Sequence, residues 1–257
     1  MCLIAFAWNA HPRFPLILAA NRDEAHERPS TAIAAWPEQP RVVGGRDLRA
    51  GGSWLAVARD GRLAAVTNVR EPVLSTAPKT RGKLVHDFVA GHESAAAFSE
   101  VLNAEGQQYG PYNLLLWDGD AMVEAGNRPW SRASAVADGV HGVSNGAFNE
   151  PWPKVRRLTA ALGEWLRSID GEPDAEALFT ALADRRPAPD EELPQTGVGI
   201  ERERELSAPF IVGDLYGTRA STIVLVDTNR RIRMVERRFG PQGVALGESS
   251  IEIVNRP

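Results

Sequence analysis

Residues 1–24 read MCLIAFAWNAHPRFPLILAANRDE, and the fold turns on how this stretch is read. Cys2 to Trp8 is a short apolar run. Asn9 to Arg13 carries turn residues, and Phe14 to Ala20 is a second apolar run that leads directly into Asn21-Arg22-Asp23-Glu24. Two apolar runs of strand length on either side of a turn predict a pair of buried strands. A signal peptide fits poorly, because the start is not basic and Asn9, His11, Pro12, Arg13 and Pro15 split the apolar run. Neither half approaches the roughly 20 residues of a membrane-spanning helix.

Working outward, Glu27 to Pro40 holds three prolines and predicts a loop. Glycines at 44–45, 51–52 and 61 punctuate short strands at Ser53 to Ala58 and Leu63 to Thr67. Gly82 to Ala90 and Ser94 to Asn103 read as helices. Asn113 to Trp117 and Ala121 to Ala125 read as a hairpin, and Val140 to Ser144 as a strand. Trp152 to Ser168 has helical spacing, with Val155, Leu158, Leu162, Trp165 and Leu166 on one side. Asp174 to Ala183 predicts another helix and Arg185 to Leu206 a mobile surface loop. Thr222 to Asp227 and Ile232 to Arg237 predict closing paired strands. Grouped strands and grouped helices, without repeat or linker, imply one α+β domain over residues 1–257.

The composition narrows function by exclusion. With 29 basic and 33 acidic side chains the net charge is -4, so no basic surplus exists for nucleic acid. Cys2 is the one cysteine of the chain, which excludes an internal disulfide and fits a reducing, cytoplasmic location. The histidines His11, His26, His86, His92 and His141 form no metal-ligand spacing. The glycine clusters lack the Lys-Ser/Thr of a phosphate loop, and no Gly-x-Ser-x-Gly elbow is present.

Cys2 stands out by position. Trimming of a start Met before a small residue leaves a thiol and a free α-amine on one residue. Their ordinary pKa values, near 8.5 and about 7.7–8.0, are close enough for the amine to serve as base to its own nucleophile. In Asn21-Arg22-Asp23-Glu24, strand alternation sends Asn21 and Asp23 to one face and Arg22 and Glu24 to the other. The bland readings are a small buried hydrophobe at Cys2 and a solvated strand end at the four polar residues.

Several motifs in order favour the sharper reading. The Met1-Cys2 start, Asn21-Arg22-Asp23-Glu24, Gly51-Gly52-Ser53-Trp54, Thr67-Asn68-Val69-Arg70, Gly82-Lys83-Leu84-Val85, Ser144-Asn145 with Trp152-Pro153-Lys154-Val155, and Tyr216-Gly217-Thr218-Arg219 resemble the successive motifs of the Asn-Arg-Asp-Glu family. That family includes the transport and Golgi organization 2 homologues, and the resemblance runs from residue 1 to about residue 227. The family in turn resembles the cysteine N-terminal-nucleophile hydrolases, among them bile salt hydrolases, penicillin V acylases and ceramidase-like amidases.

This second resemblance implies a four-layer αββα fold of two mostly antiparallel sheets. It implies Cys2 as nucleophile and base, Asp23 as holder of the α-amine, and Asn68 as the oxyanion-hole residue. Asn145 would contact amine and substrate, and Arg219 would add positive potential. These hydrolases carry an Arg three residues before the Asp. Here that position is Ala20, and Arg22 is the nearest arginine. The implied activity is hydrolysis of a non-peptide amide of an acyl or lipid-like small molecule through an acyl-thioester, with no cofactor. The competing expectation is a haem- or lipid-binding trafficking protein on the same fold.

Overall fold

The computed structural model describes residues 2–72 and 76–254. Cys2–Trp8 (β1) pairs antiparallel with Leu16–Ala25 (β2), with Cys2 opposite Arg22 and Trp8 opposite Leu16. A first sheet runs Gly139–Val143 (β10), β1, β2, Tyr216–Val226 (β11), Ile232–Phe239 (β12) and Ala245–Ile253 (β13). A second sheet runs in sequence order through Ala34–Trp36 (β3), Gln39–Gly44 (β4), Leu55–Ala58 (β5), Leu63–Asn68 (β6), Tyr112–Trp117 (β7), Met122–Gly126 (β8) and Arg132–Ala135 (β9). Neighbouring strands in both sheets are antiparallel.

Three apolar layers separate four structural ones. Between the sheets, Ile4, Phe6, Leu16, Leu18 and Val224 pack against Val43, Leu55, Val57, Leu63 and Leu115. The alternate residues of the same strands, Leu3, Ala5, Ile17, Ala19 and Ile223, face the helices Pro153–Ser168 (α3) and Glu176–Leu182 (α4) through Val155, Leu158, Leu162 and Phe179. On the far side, Val42, Ala56, Ala64, Leu114 and Leu116 meet Arg81–Ala90 (α1) and Ala95–Glu105 (α2) through Leu84, Val85, Phe88 and Leu102. This is the expected αββα sandwich. Covering both faces of a sheet explains why β1 reads as continuous apolar residues rather than alternating ones.

Several elements differ from the sequence expectation. β2 runs on through Ala25, so Asn21-Arg22-Asp23-Glu24 lies inside a strand, flanked by β1 and β11. The expected loop after Glu27 contains β3 and the start of β4. β11 begins at Tyr216, six residues before the apolar signal, and β9 and β13 carry too few apolar residues to announce themselves. Both of those are terminal strands of their sheets, with largely exposed side chains. The expected mobile loop 185–206 instead buries Ala188, Glu203 and Leu206 and includes Ile200–Glu205 (α5). No helix among the described residues is long and apolar enough to cross a membrane.

Candidate active site

The two sheets part at the end where β1 begins. A cavity of about 240 Å³ opens there, lined by Cys2, Arg22, Asp23 and Glu24 from the first sheet and Trp54, Thr67 and Asn68 from the second, with Lys79 and Arg81 at its rim. Half-buried Cys2 projects toward the inter-sheet side, because even-numbered residues of β1 face that way. Its cross-strand neighbour Arg22 projects to the same side. Ala20 packs into the inter-sheet core, so Arg22 is the arginine of β2 that stands beside the thiol.

Arg22 is held by the face of an aromatic ring and by a longer contact to a carboxylate. Its guanidinium lies 4.4 Å from the centre of the Trp54 ring and 3.8 Å from Glu24 Oε2. Its Nη1 is buried without a hydrogen-bond partner among the described residues. Trp54 is placed by a tight backbone approach. A Cβ on Gly52 would sit 2.4 Å from the Gly82 carbonyl oxygen, and Ser53 N donates to that oxygen at 3.1 Å. Glycine at 52 thus lets the 51–54 segment lie on the start of α1.

Asn68 and Asn145 come together from opposite sheets. Asn145, fully buried after β10, donates Nδ2 to the carbonyl oxygen of Asn68 and to Asn68 Oδ1, each at 3.0 Å. With Oδ1 engaged, the edge of the Asn68 carboxamide left for the cavity is its Nδ2, whose one acceptor among the described residues is a long 3.4 Å contact to Val69 O. Asn145 does not line the cavity itself. Ser144 Oγ donates to the Cys2 carbonyl at 2.9 Å, and Thr67 Oγ1 donates to the Ser144 carbonyl at 2.6 Å. These bonds tie the start of β1 to both asparagines.

Asp23 lies at the floor, on the helix side of β2. Thr218 Oγ1 donates to its Oδ1 at 2.7 Å. Burial pushes its carboxyl upward, opposed chiefly by Lys154, with Thr218 and Arg22 also favouring the anion. The partner on the same face, Asn21, is structural: it donates to the Leu182 and Pro209 carbonyls at 2.8 and 2.9 Å and accepts from Ser221 at 2.6 Å. Burial also pushes the Cys2 thiol up. Asp23 and Glu24 add to that rise and Arg22 opposes it.

Arg219 sits apart from the cavity. It occupies a β-bulge in β11, and its Nη1 donates to the Ala25 and Arg28 carbonyls at 2.9 and 3.0 Å. The structure therefore gathers Cys2, Arg22, Asp23 and Asn68 around one cavity, places Asn145 directly behind Asn68, and leaves Arg219 outside.

Sequence reasoning missed two basic residues. Arg81 reaches the rim from the first turn of α1, where burial lowers its pKa and the nearby Cys2 and Glu24 oppose that. Lys154 is 1% exposed at the start of α3. A lysine four residues before Leu158 and eight before Leu162 falls on the apolar stripe of that helix, which was the available signal. Among the described residues, no group of three or more His, Cys, Asp or Glu side chains is placed to hold a metal ion.

Solved structures share this architecture. An N-acylethanolamine-hydrolyzing acid amidase ortholog from Caenorhabditis elegans superposes with a TM-score of 0.51 at 11% identity, covering 87% of this chain and 92% of that one. A C2A mutant of the conjugated bile acid hydrolase from Clostridium perfringens gives 0.56 at 8% identity, covering 98% and 92%. The fold is accordingly that of the N-terminal-nucleophile hydrolases. In sequence, the transport and Golgi organization protein 2 homologue of Bos taurus is 31% identical over 255 residues, 92% of each chain. The Homo sapiens homologue is 29% identical, again over 92% of each. The model of the family described as Transport and Golgi organisation 2 matches residues 1–241, and the chain belongs to that family.

Proposed function

We propose that this protein, once Met1 is removed, is a cysteine amidohydrolase that cleaves a non-peptide amide of an acyl-bearing small molecule. The observation that carries this reading is the meeting of Cys2 and the oriented Asn68 carboxamide in one cavity. The Cys2 thiolate attacks the amide carbonyl, its proton having passed to the α-amine. A C–S bond forms, and the carbonyl oxygen becomes an oxyanion facing Asn68 Nδ2. Collapse breaks the C–N bond, and the α-ammonium returns its proton to the departing amine. Water then attacks the thioester with the α-amine as base, releasing the acid and restoring the thiol. Asp23 anchors the amine, and the Arg22 cation favours the thiolate.

The two structural neighbours are named for hydrolysis of an N-acylethanolamine and of a conjugated bile acid. Their likeness in fold makes an N-acyl amide the first class to try. The cavity is smaller than the roughly 300–1,000 Å³ of pockets that enclose drug-sized ligands. It suits the reacting amide and its nearest atoms, with the remainder of the substrate outside. Its charged lining also suits a polar group better than a flat apolar macrocycle such as haem.

The test is a panel of N-acyl amides offered to protein whose intact mass shows that it starts at Cys2. Release of the free acid is expected for at least one member. Cys2→Ala and Cys2→Ser should lower that rate by about a thousandfold or more. Undiminished hydrolysis by Cys2→Ala overturns the reading. So does a silent panel together with a haem titration that gives a saturable Soret shift, which is the outcome expected of a non-catalytic carrier.

A further inference from the structure

A second, smaller cavity of about 60 Å³ lies behind Arg22 and Trp54, which line both cavities. Its lining also includes Arg219, Ala220, Glu236 and Arg238. Strand register brings these residues together. Arg22 on β2 stands opposite Ala220 on β11, and Ala220 stands opposite Arg238 on β12. Residues opposite one another share a face of the sheet. On this face the row Leu18, Val224 and Met234 belongs to the core between the sheets. The next row along it is Ala20, Thr222 and Glu236, and the one after that is Arg22, Ala220 and Arg238. The middle residue of this last row is small, so the methyl of Ala220 leaves room between the two flanking arginines. Neighbouring strands are about 4.8 Å apart, which puts the Cα atoms of Arg22 and Arg238 roughly 10 Å apart. Arg219, at the bulge of β11, brings a third guanidinium.

Charge and hydrogen bonding are both unbalanced here. Three arginines line the cavity, and among the described residues Glu236 is its one acid. Glu24, the carboxylate 3.8 Å from Arg22, belongs to the lining of the front cavity. Arg22 Nη1, Arg219 Nε, Arg238 Nε and Glu236 Oε2 are each buried without a hydrogen-bond partner among the described residues. Buried polar atoms are nearly always paired, and unmatched ones on charged groups are costly. Four such atoms on residues around one cavity call for a ligand that accepts from guanidinium and carries negative charge. The volume is several times what one water needs, and water brings no charge.

We propose that this rear cavity binds a small oxyanion of phosphate shape, seated over Ala220 and held by Arg22, Arg219 and Arg238. Guanidinium forks match the geometry of such an ion. The acid form of Glu236, favoured by burial, can donate to it. The site is independent of the amide chemistry, since Cys2 lines the front cavity and not this one.

The test is isothermal titration of the full chain with inorganic phosphate at pH 8, with ionic strength held by sodium chloride. Saturable binding is expected. Arg238→Met should weaken it at least about tenfold, the worth of one charged hydrogen bond. Ala220→Leu, which fills the space in the row without removing a charge, should abolish it. Arg81→Met takes the same charge from the rim of the front cavity and should leave it unchanged. Glu236→Gln, which takes the carboxylate out of the lining, should tighten it. Phenyl phosphate identifies the source: binding of the inorganic ion alone assigns a free anion, and equal binding of the ester through Arg238 assigns the head of a larger molecule. No saturable binding at millimolar phosphate overturns the proposal. So does binding that survives both Arg238→Met and Ala220→Leu, or that is lost with Arg81→Met instead. Should Ala220→Leu fail to fold, the comparison of Arg238→Met with Arg81→Met decides. Cys2→Ala should bind phosphate as wild type does, so a failure of the amidase reading leaves this inference standing.

Discussion

Asn145 reaches across from the end of β10 and donates Nδ2 twice to Asn68, once to its backbone carbonyl and once to Oδ1, both at 3.0 Å. The second bond fixes which edge of the Asn68 carboxamide faces the cavity. One asparagine touches the reacting atoms in the proposed chemistry, and the other orients it. Asn68→Ala should therefore slow acylation of Cys2 by an activated ester by about 10²–10³, the loss typical of an oxyanion donor. Asn145→Ala should slow it less, because the carboxamide remains but rotates. Intact-mass measurement of the acyl-enzyme against time checks both, and an Asn145 variant slower than the Asn68 variant contradicts this division of roles.

The Arg70–Glu203 pair is buried on both sides and clamps α5 beside the start of α3. Leaving one of its charges without a partner should be costly. Glu203→Ala is expected to destabilise by about 3–5 kcal/mol in urea unfolding. Replacing both residues by apolar ones of similar volume should cost much less. A Glu203→Ala loss below about 1 kcal/mol would show that the clamp contributes little.

Glu236 gives stability a pH dependence of its own. It is fully buried in β12, its Oε1 accepts from Ile33 N at 3.1 Å, and Oε2 has no partner among the described residues. Burial raises its pKa from 4.5 to about 7, with Ile33 N–H, Arg238 and Arg22 opposing. The folded state thus holds a proton that the unfolded chain releases near 4.5. The associated stability is fully present below that value and is lost as pH rises through about 7. Wild type should lose about 2–3 kcal/mol more than Glu236→Gln between pH 4.5 and pH 8. Parallel stability curves for the two proteins would contradict this assignment.

The αββα fold was legible through the family resemblance that the ordered motifs carry, while the apolar pattern alone announced elements such as β1, by its uninterrupted apolar run, and the helix α3, by its spacing. β9, β13 and the first half of β11 give no such signal. β9 and β13 border solvent, and the start of β11 carries Thr218 and Arg219 in place of aliphatic residues, so the apolar pattern begins only near Thr222. At the site, Cys2, Arg22, Asp23 and Asn68 were readable as chemistry-bearing residues next to strands. The placement of Asn145 behind Asn68 was not, because it depends on which strand ends the two sheets bring together. Arg219 lies outside the cavity for a related reason: a one-residue bulge, invisible in sequence, directs it to the carbonyls of Ala25 and Arg28.

The central claim is that the sulfur of Cys2 receives the acyl group. The direct measurement is to quench the protein during turnover of an acyl ester or amide and locate the added mass by fragmentation. We expect a single acyl increment on Cys2, in chains that begin at that residue, with none on Cys2→Ala. An increment elsewhere, or product formed with Cys2 never acylated, contradicts the account.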